Sequence, residues 1–88
     1  MAQTVAQCLT AATDSVTLIN EVNGGSYDVS HMTQAEINEM VQRNVDHLST
    51  ILSYDSSMQG VPNIADASDD KSSYTTAITT GNAYIAAN

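Results

Sequence analysis

The stretch Met32–Tyr54, MTQAEINEMVQRNVDHLSTILSY, indicates the structure of this chain most clearly. Thr33 is followed three residues later by Glu36, the capping-box pattern of a helix start, in which each side chain accepts a hydrogen bond from an unpaired backbone N–H. Met32 and Ile37 occupy the two positions of a hydrophobic staple. Apolar residues then recur at intervals of three and four and share one helical face: Ile37, Met40, Val41, Val45, Leu48, Ile51 and Leu52.

Another helix is predicted over residues 4–22, where Thr4 and Gln7 offer a second capping box. This helix has two apolar faces, and a helix of that kind either lies at the centre of its fold or contacts something outside it. The run Asn23-Gly24-Gly25 tolerates the left-handed conformation and predicts the C-cap. The apolar residues of this helix form two patches, one of Val5, Cys8, Leu9, Ala12, Val16 and Ile19 and a rotated one of Ala11, Leu18 and Val22.

The C-terminal part of the chain predicts a third helix over residues 69–86, which Ser68 or Asp69 can cap. Gly81 lies inside it and costs about 1 kcal/mol against Ala, so we expect a close helix approach there. The loop before it, residues 55–68, contains the only proline. Its apolar residues Met58, Val61 and Ile64 predict that this loop lies against the bundle.

Together the segments 4–22, 33–54 and 69–86 predict a single all-α domain over residues 1–88, a small three-helix bundle with up-down-up topology. The alternative is a long hairpin of the first two helices, with the C-terminal helix docking on a neighbouring subunit. Cores of this size supply only about 3–5 kcal/mol. The flanking helices also offer narrow faces of small residues, so we expect full burial of the central helix to need another chain.

The charge of the chain excludes several classes of partner. The net charge is −8, spread evenly along the sequence, and Arg43 and Lys71 are the only basic residues. This argues against direct binding of nucleic acid phosphates and of an anionic membrane surface. We see no signal peptide and no apolar run long enough to span a membrane, which predicts a soluble intracellular protein. Cys8 is the only cysteine, so neither an internal disulfide nor a structural zinc site is expected.

Polar residues near the apolar face of the central helix are the candidates for function. Asn44 lies within that face, and we expect it to pair with a backbone group or a tyrosine hydroxyl and to fix the register, with an interface or ligand role as the alternative. Glu36, Arg43, His47 and Tyr54 follow one flank, where a solvated boundary is favoured over an acid–base site because no nucleophile, oxyanion hole or orienting group accompanies them. We therefore predict no catalytic, cofactor or metal site and no small-molecule substrate.

Two other polar patterns have simpler explanations. Asp66, Ser68 and Asp70 are spaced as in the start of an EF-hand loop, but Lys71 replaces the required glycine and no glutamate closes the loop. His31 could form a pH-sensitive clasp, although an ordinary loop histidine is favoured. The residues predicted to contact a partner are Leu18, Val22, Arg43, Asn44, His47, Tyr54, Met58 and Tyr84.

The whole chain is rich in Thr, Ser, Asn, Gln, Ala and Val and poor in Lys, Arg and Phe. In this composition, and in the C-terminal run TTAITTGNAYIAAN at residues 75–88, it resembles small virion components of tailed bacteriophages. The resemblance implies a minor capsid, decoration or connector subunit, located in the virion or in the host cytoplasm. The function predicted is therefore a non-enzymatic structural or interaction subunit of a larger assembly, formed with another protein or with further copies of itself. The alternative is an acidic regulator that inhibits a basic partner or mimics DNA.

Overall fold

The computed structural model describes residues 3–88, which fold into a small all-α three-helix bundle. The helices are α1 (Val5–Gly24), α2 (Gln34–Leu52) and α3 (Ser72–Ala87). Each helix packs against both others, and the described residues form no strand. The predicted fold class is confirmed, and α3 packs on its own chain as the bundle requires.

Both predicted capping boxes are formed. At the start of α1 the Gln7 backbone N–H donates to Thr4 Oγ1 at 3.1 Å, and the Thr4 N–H donates to Gln7 Oε1 at 2.9 Å. At the start of α2 the same pair of bonds joins Thr33 and Glu36, at 3.1 and 2.8 Å. Gly25 ends α1 in the left-handed conformation, with φ of 82°. Local hydrogen bonding therefore sets three of the helix ends as the sequence predicts.

Contacts between distant residues establish the up-down-up topology. Ser15 in α1 bonds to Asn44 in α2. Four residues further along α1, Ile19 lies with Val41 beside Gly81 of α3. Moving forward along α1 therefore means moving backward along α2, so these two helices are antiparallel. Tyr74 at the start of α3 approaches the Leu9 carbonyl of α1, and Gly81, further along α3, approaches Ile19, further along α1. These two helices therefore run in the same direction.

This one chain buries most of the apolar face of α2. Along the apolar face of α2 the relative exposure of Ile37, Val41, Val45, Leu48 and Ile51 does not exceed 6%. Met40 and Leu52 are partly buried against the same cluster. For those five residues the expectation that burial needs another chain is wrong, because the narrow faces of α1 and α3 approach closely enough to cover them, whereas Met40 and Leu52 stay partly exposed.

A close approach at Gly81 explains how small residues fill this space. An ideal Cβ built on Gly81 would lie 2.5 Å from Val45 Cγ2, 3.4 Å from Val41 Cγ1 and 3.5 Å from Ile19 Cγ2. The first distance is too short for a real contact, and the other two are ordinary van der Waals contacts. Side chains from both other helices therefore occupy the volume that a larger residue would need. The predicted reason for the glycine is confirmed.

The start of α3 differs from the prediction. The helix begins at Ser72 instead of residue 69, and its N-cap residue Lys71 makes no side-chain capping bond. Asp70 Oδ1 accepts a hydrogen bond from the Ser72 backbone N–H at 2.9 Å, which forms a turn just before the helix. Neither Ser68 nor Asp69 caps the helix, since both lie upstream of this turn.

The loop between α2 and α3 lies against the bundle, as predicted. Ile64 is fully buried, and the backbone N–H groups of Ile64 and Ala65 both donate to the Tyr54 carbonyl, at 2.9 and 2.8 Å. Val61 is half-buried, whereas Met58 remains 44% exposed. Within the described residues, no helix has both the length and the apolar character needed to cross a membrane.

Candidate functional site

A cleft of about 550 Å³ opens where the α1–α2 connector crosses the first turns of α2. Its volume falls within the range of about 300–1,000 Å³ typical of ligand-binding clefts. The lining combines three large side chains with apolar surface and three ionisable ones: Tyr27, Met32 and Met40, and Asp28, His31 and Glu36. The first three are half-buried and pack against the core, while the last three are exposed. The cleft thus has an apolar floor and a charged rim.

The two rim carboxylates are oriented by local hydrogen bonds. Asp28 Oδ1 accepts from the Ser30 hydroxyl at 2.7 Å and from the Ser30 backbone N–H at 3.1 Å. Glu36 Oε1 accepts from the Thr33 backbone N–H at 2.8 Å as part of the capping box. Each carboxylate uses one oxygen in these bonds, so its second oxygen is available to an incoming donor.

These bonds also keep both carboxylates ionised. The Ser30 hydroxyl, and then its backbone N–H, holds the pKa of Asp28 below its ordinary value. The bonds from Thr33, chiefly from its backbone N–H, do the same for the pKa of Glu36. Nearby His31 lowers both pKa values further through its charge. Both rim carboxylates are therefore ionised at neutral pH.

A polar cluster lies beside the cleft, between α1 and α2. Asn44 Nδ2 donates to the Met40 carbonyl at 2.8 Å, and Asn44 Oδ1 accepts from Ser15 Oγ at 2.9 Å. Ser15 Oγ also lies 2.8 Å from His47 Nδ1. The prediction that Asn44 pairs with a backbone group is confirmed, but its second partner is a serine of α1 instead of a tyrosine.

The order of donors in this cluster follows from chemistry. The Met40 carbonyl can only accept, so Asn44 must present its NH₂ group there and its oxygen to Ser15. Ser15 has a single hydroxyl proton, which it donates to that oxygen. His47 must therefore carry a proton on Nδ1 and donate it to Ser15 Oγ. A serine whose proton is directed away from the histidine is not activated as a nucleophile. The bonds of Ser15 to Asn44 and His47 join α1 to α2 at a fixed register.

The predicted partner-contact residues do not form one surface. Val22 is buried in the core and only 7% exposed. Leu18 is partly buried against the same core. The second apolar patch of α1 is therefore occupied by the chain itself.

The candidate residues on the flank of α2 also differ in their exposure and their contacts. Arg43 is exposed and lies 3.8 Å from Glu39 in an ion pair along the helix. His47 is exposed as a residue, but its Nδ1 is held by Ser15. Tyr54 lies beyond the end of the helix and packs partly against the core. Glu36 and His47 belong to different polar clusters, so the flank presents no acid–base pair.

The remaining two candidates lie on other elements. The Tyr84 hydroxyl accepts from Gln34 Nε2 at 3.1 Å and ties the end of α3 to the start of α2. Met58, in the loop, is the large apolar side chain that is exposed. Of the eight candidates, Arg43, His47 and Met58 are the exposed ones, and none of the eight lines the cleft.

Sequence reasoning missed Ser15 and the cleft. The signal for Ser15 was present, because it lies at helical spacing between Ala11, Leu18 and Val22 and so within the second patch of α1. The cleft had no comparable signal. It forms because the irregular connector places Tyr27 and Met32 beside Met40, and that path is not encoded in a periodic pattern.

The described residues hold no group of three or more His, Cys, Asp or Glu side chains placed to bind a metal ion. The acids before α3 are used in turns instead. Asp66 and Asn63 bond to one another through their side chains and backbone, and Asp70 accepts from Ser72. Comparison of the chain with protein-family models, curated proteins and solved structures finds no match.

Proposed function

We propose that this protein is a non-enzymatic interaction subunit of a larger assembly and that the cleft beside the α1–α2 connector contacts its partner. The observation that carries this proposal is the cleft's composition. Tyr27, Met32 and Met40 are only partly buried against the core, and they line the same cleft, where part of their apolar surface is exposed. Methionine side chains adapt their shape to a partner, and aromatic residues and Met are enriched in protein interfaces.

The polar cluster supports a role without catalysis. The Ser15 proton is directed to Asn44, so Ser15 and His47 are not arranged as a nucleophile and its base. The resemblance to small virion components of tailed bacteriophages supports a phage particle as the assembly, with this chain as a minor capsid, decoration or connector subunit.

An acidic regulator that inhibits a basic partner is the second candidate function. It is favoured by the net charge of −8 and by the presence of only two basic side chains. Arg43 pairs with Glu39, and Lys71 Nζ donates to the carbonyls of Ala67 and Asp69. A DNA mimic would need denser rows of carboxylates than the exposed faces of these helices carry.

Site-specific photocrosslinking in the cells that produce the protein tests the proposal. A photoreactive amino acid replaces His31 on the rim of the cleft, and a control variant carries it at Asp46 on the exposed face of α2. We expect a discrete crosslinked protein adduct from position 31 and none from position 46. No adduct from either position, or equal adducts from both, would contradict a contact made by the cleft.

Mass spectrometry of the adduct then separates the two candidates. An assembly subunit yields a crosslink to another structural component, and the same component is found with it in purified particles. A regulator yields a crosslink to a basic enzyme or nucleic-acid-binding protein that is absent from such particles.

A further inference from the structure

We infer that the occupant of the cleft is a basic segment of another protein, in which one large apolar side chain enters between Met32 and Met40 while neighbouring Lys or Arg side chains pair with Asp28 and Glu36. This inference rests on the proposed contact through the cleft. It adds the chemistry of the partner.

The shape of the site supplies the first part of the argument. Tyr27, Met32 and Met40 form a floor that is only half-buried, so a further apolar side chain placed there removes their remaining surface from water. The rim residues leave the cleft open to the outside, and its volume of about 550 Å³ accommodates a large side chain together with the backbone that carries it.

Charge complementarity supplies the second part. Asp28 and Glu36 border the cleft, and each retains one carboxylate oxygen that the local bonds do not use. Their orientation is fixed before binding, so little conformational entropy is lost when a cation pairs with them. A second copy of this chain is disfavoured as the occupant, because it carries the same charge of −8 and has only two basic residues, Arg43 and Lys71.

Peptide binding tests the inference with the full chain. The probe is a fluorescently labelled peptide, acetyl-KRLRK-amide, and the matched control peptide carries Ser in place of Leu. At low salt we expect the Leu peptide to bind at least about tenfold more tightly than the Ser peptide, since only the former supplies an apolar anchor. Methyl NMR of the protein should show shifts at Met32 and Met40, while the exposed Met58 serves as an internal control.

A pair of isosteric charge variants tests the rim. The D28N/E36Q variant keeps the side-chain oxygens that cap and turn the backbone, because Asn and Gln accept the same hydrogen bonds. We expect it to bind the Leu peptide about tenfold more weakly than the D14N/D46N control, which removes the same total charge elsewhere. Circular dichroism verifies that both variants are folded.

Three results of the peptide experiments would overturn the inference. They are equal binding by the two charge variants, equal binding of the two peptides, and methionine shifts confined to Met58. Concentration-dependent shifts at Met32 and Met40 without peptide would identify a second copy as the occupant and would also overturn it. If the photoreactive amino acid at position 31 crosslinks to a partner segment that lacks basic residues, the proposed contact through the cleft stands and the basic partner is rejected.

Discussion

At the scale of single residues, Ser15 matters most for how the helices are joined. It is 4% exposed and bonds to both Asn44 and His47, which lie 29 and 32 positions away in the sequence. A buried polar group that loses its partner costs about 1–3 kcal/mol. Ser15 therefore joins α1 to two polar side chains of α2.

We expect S15A to lower the free energy of unfolding by about 1–3 kcal/mol, because Asn44 Oδ1 loses its donor. Urea denaturation followed by circular dichroism measures the change. In a double-mutant cycle with N44A, the two substitutions should couple by about 0.5–3 kcal/mol. S49A, on the exposed face of α2, is the control and should change stability by less than about 0.5 kcal/mol. Additive effects of S15A and N44A would contradict the bond between them.

Gly81 is the second residue on which packing depends. We expect G81A to destabilise the protein by about 1–3 kcal/mol, because its Cβ would lie 2.5 Å from Val45 Cγ2. G24A is the matched control, since nothing lies within 4 Å of a Cβ at that helical glycine. The control should leave stability unchanged or raise it by up to about 1 kcal/mol. Equal thermal midpoints for the two variants would argue against close packing at Gly81.

Glu36 gives the stability a defined dependence on pH. Its pKa in the folded protein lies below the ordinary value of 4.5, so the unfolded chain binds the proton more readily. The contribution of Glu36 is fully present above that ordinary value and is lost as the pH falls through the lower, folded pKa. E36Q keeps the capping bond, so we expect its thermal midpoint to fall less than that of the wild type between about pH 5 and pH 3. Parallel curves would exclude this linkage.

At the scale of elements, the segment between α2 and α3 behaves as part of the core. Two backbone bonds to the Tyr54 carbonyl anchor it, and Ile64 is completely buried. The start of α3, a few residues further on, has no side-chain cap from its N-cap residue. The stability of α3 therefore depends on tertiary contacts more than that of α1 or α2.

We expect I64A to destabilise the protein by about 2–5 kcal/mol, the range for removing most of a fully buried Ile side chain. M58A is the control in the same loop and should change the free energy of unfolding by less than about 0.5 kcal/mol, because Met58 is exposed. Hydrogen exchange of the α3 amides should accelerate in I64A. A change of similar size in both variants would indicate that the loop contributes generally and not through Ile64.

At the scale of the whole molecule, the charge of −8 opposes folding. The radius of gyration is 13.9 Å, so at low salt, where the screening length is about 30 Å, all the acidic side chains repel one another. At about 0.15 M salt that length is about 8 Å. Sodium chloride should therefore raise the thermal midpoint, and D14N/D46N should reduce the size of this increase. A midpoint that falls with added salt would show that favourable ion pairs dominate instead.

The sequence by itself determined the features that depend on neighbours three or four positions apart. The caps at Thr4 and Thr33, the left-handed end at Gly25 and the apolar face of α2 are all encoded this way, and together they imply the fold class. Gly81 predicted a close approach between helices, because a glycine inside a helix lowers its stability by about 1 kcal/mol relative to alanine and is explained only if a side chain would not fit.

Only the tertiary structure decided how those elements complete one another. It showed that Ile37, Val41, Val45, Leu48 and Ile51 of the central helix are buried by their own chain, that Asn44 pairs with Ser15, and that α3 starts at Ser72. It also formed the cleft at Tyr27, Met32 and Met40. These features arise from contacts between residues far apart in the chain or from an irregular connector, and neither leaves a periodic pattern. Local hydrogen bonding can be inferred from adjacent letters, whereas the fit between surfaces exists only once the chain has folded.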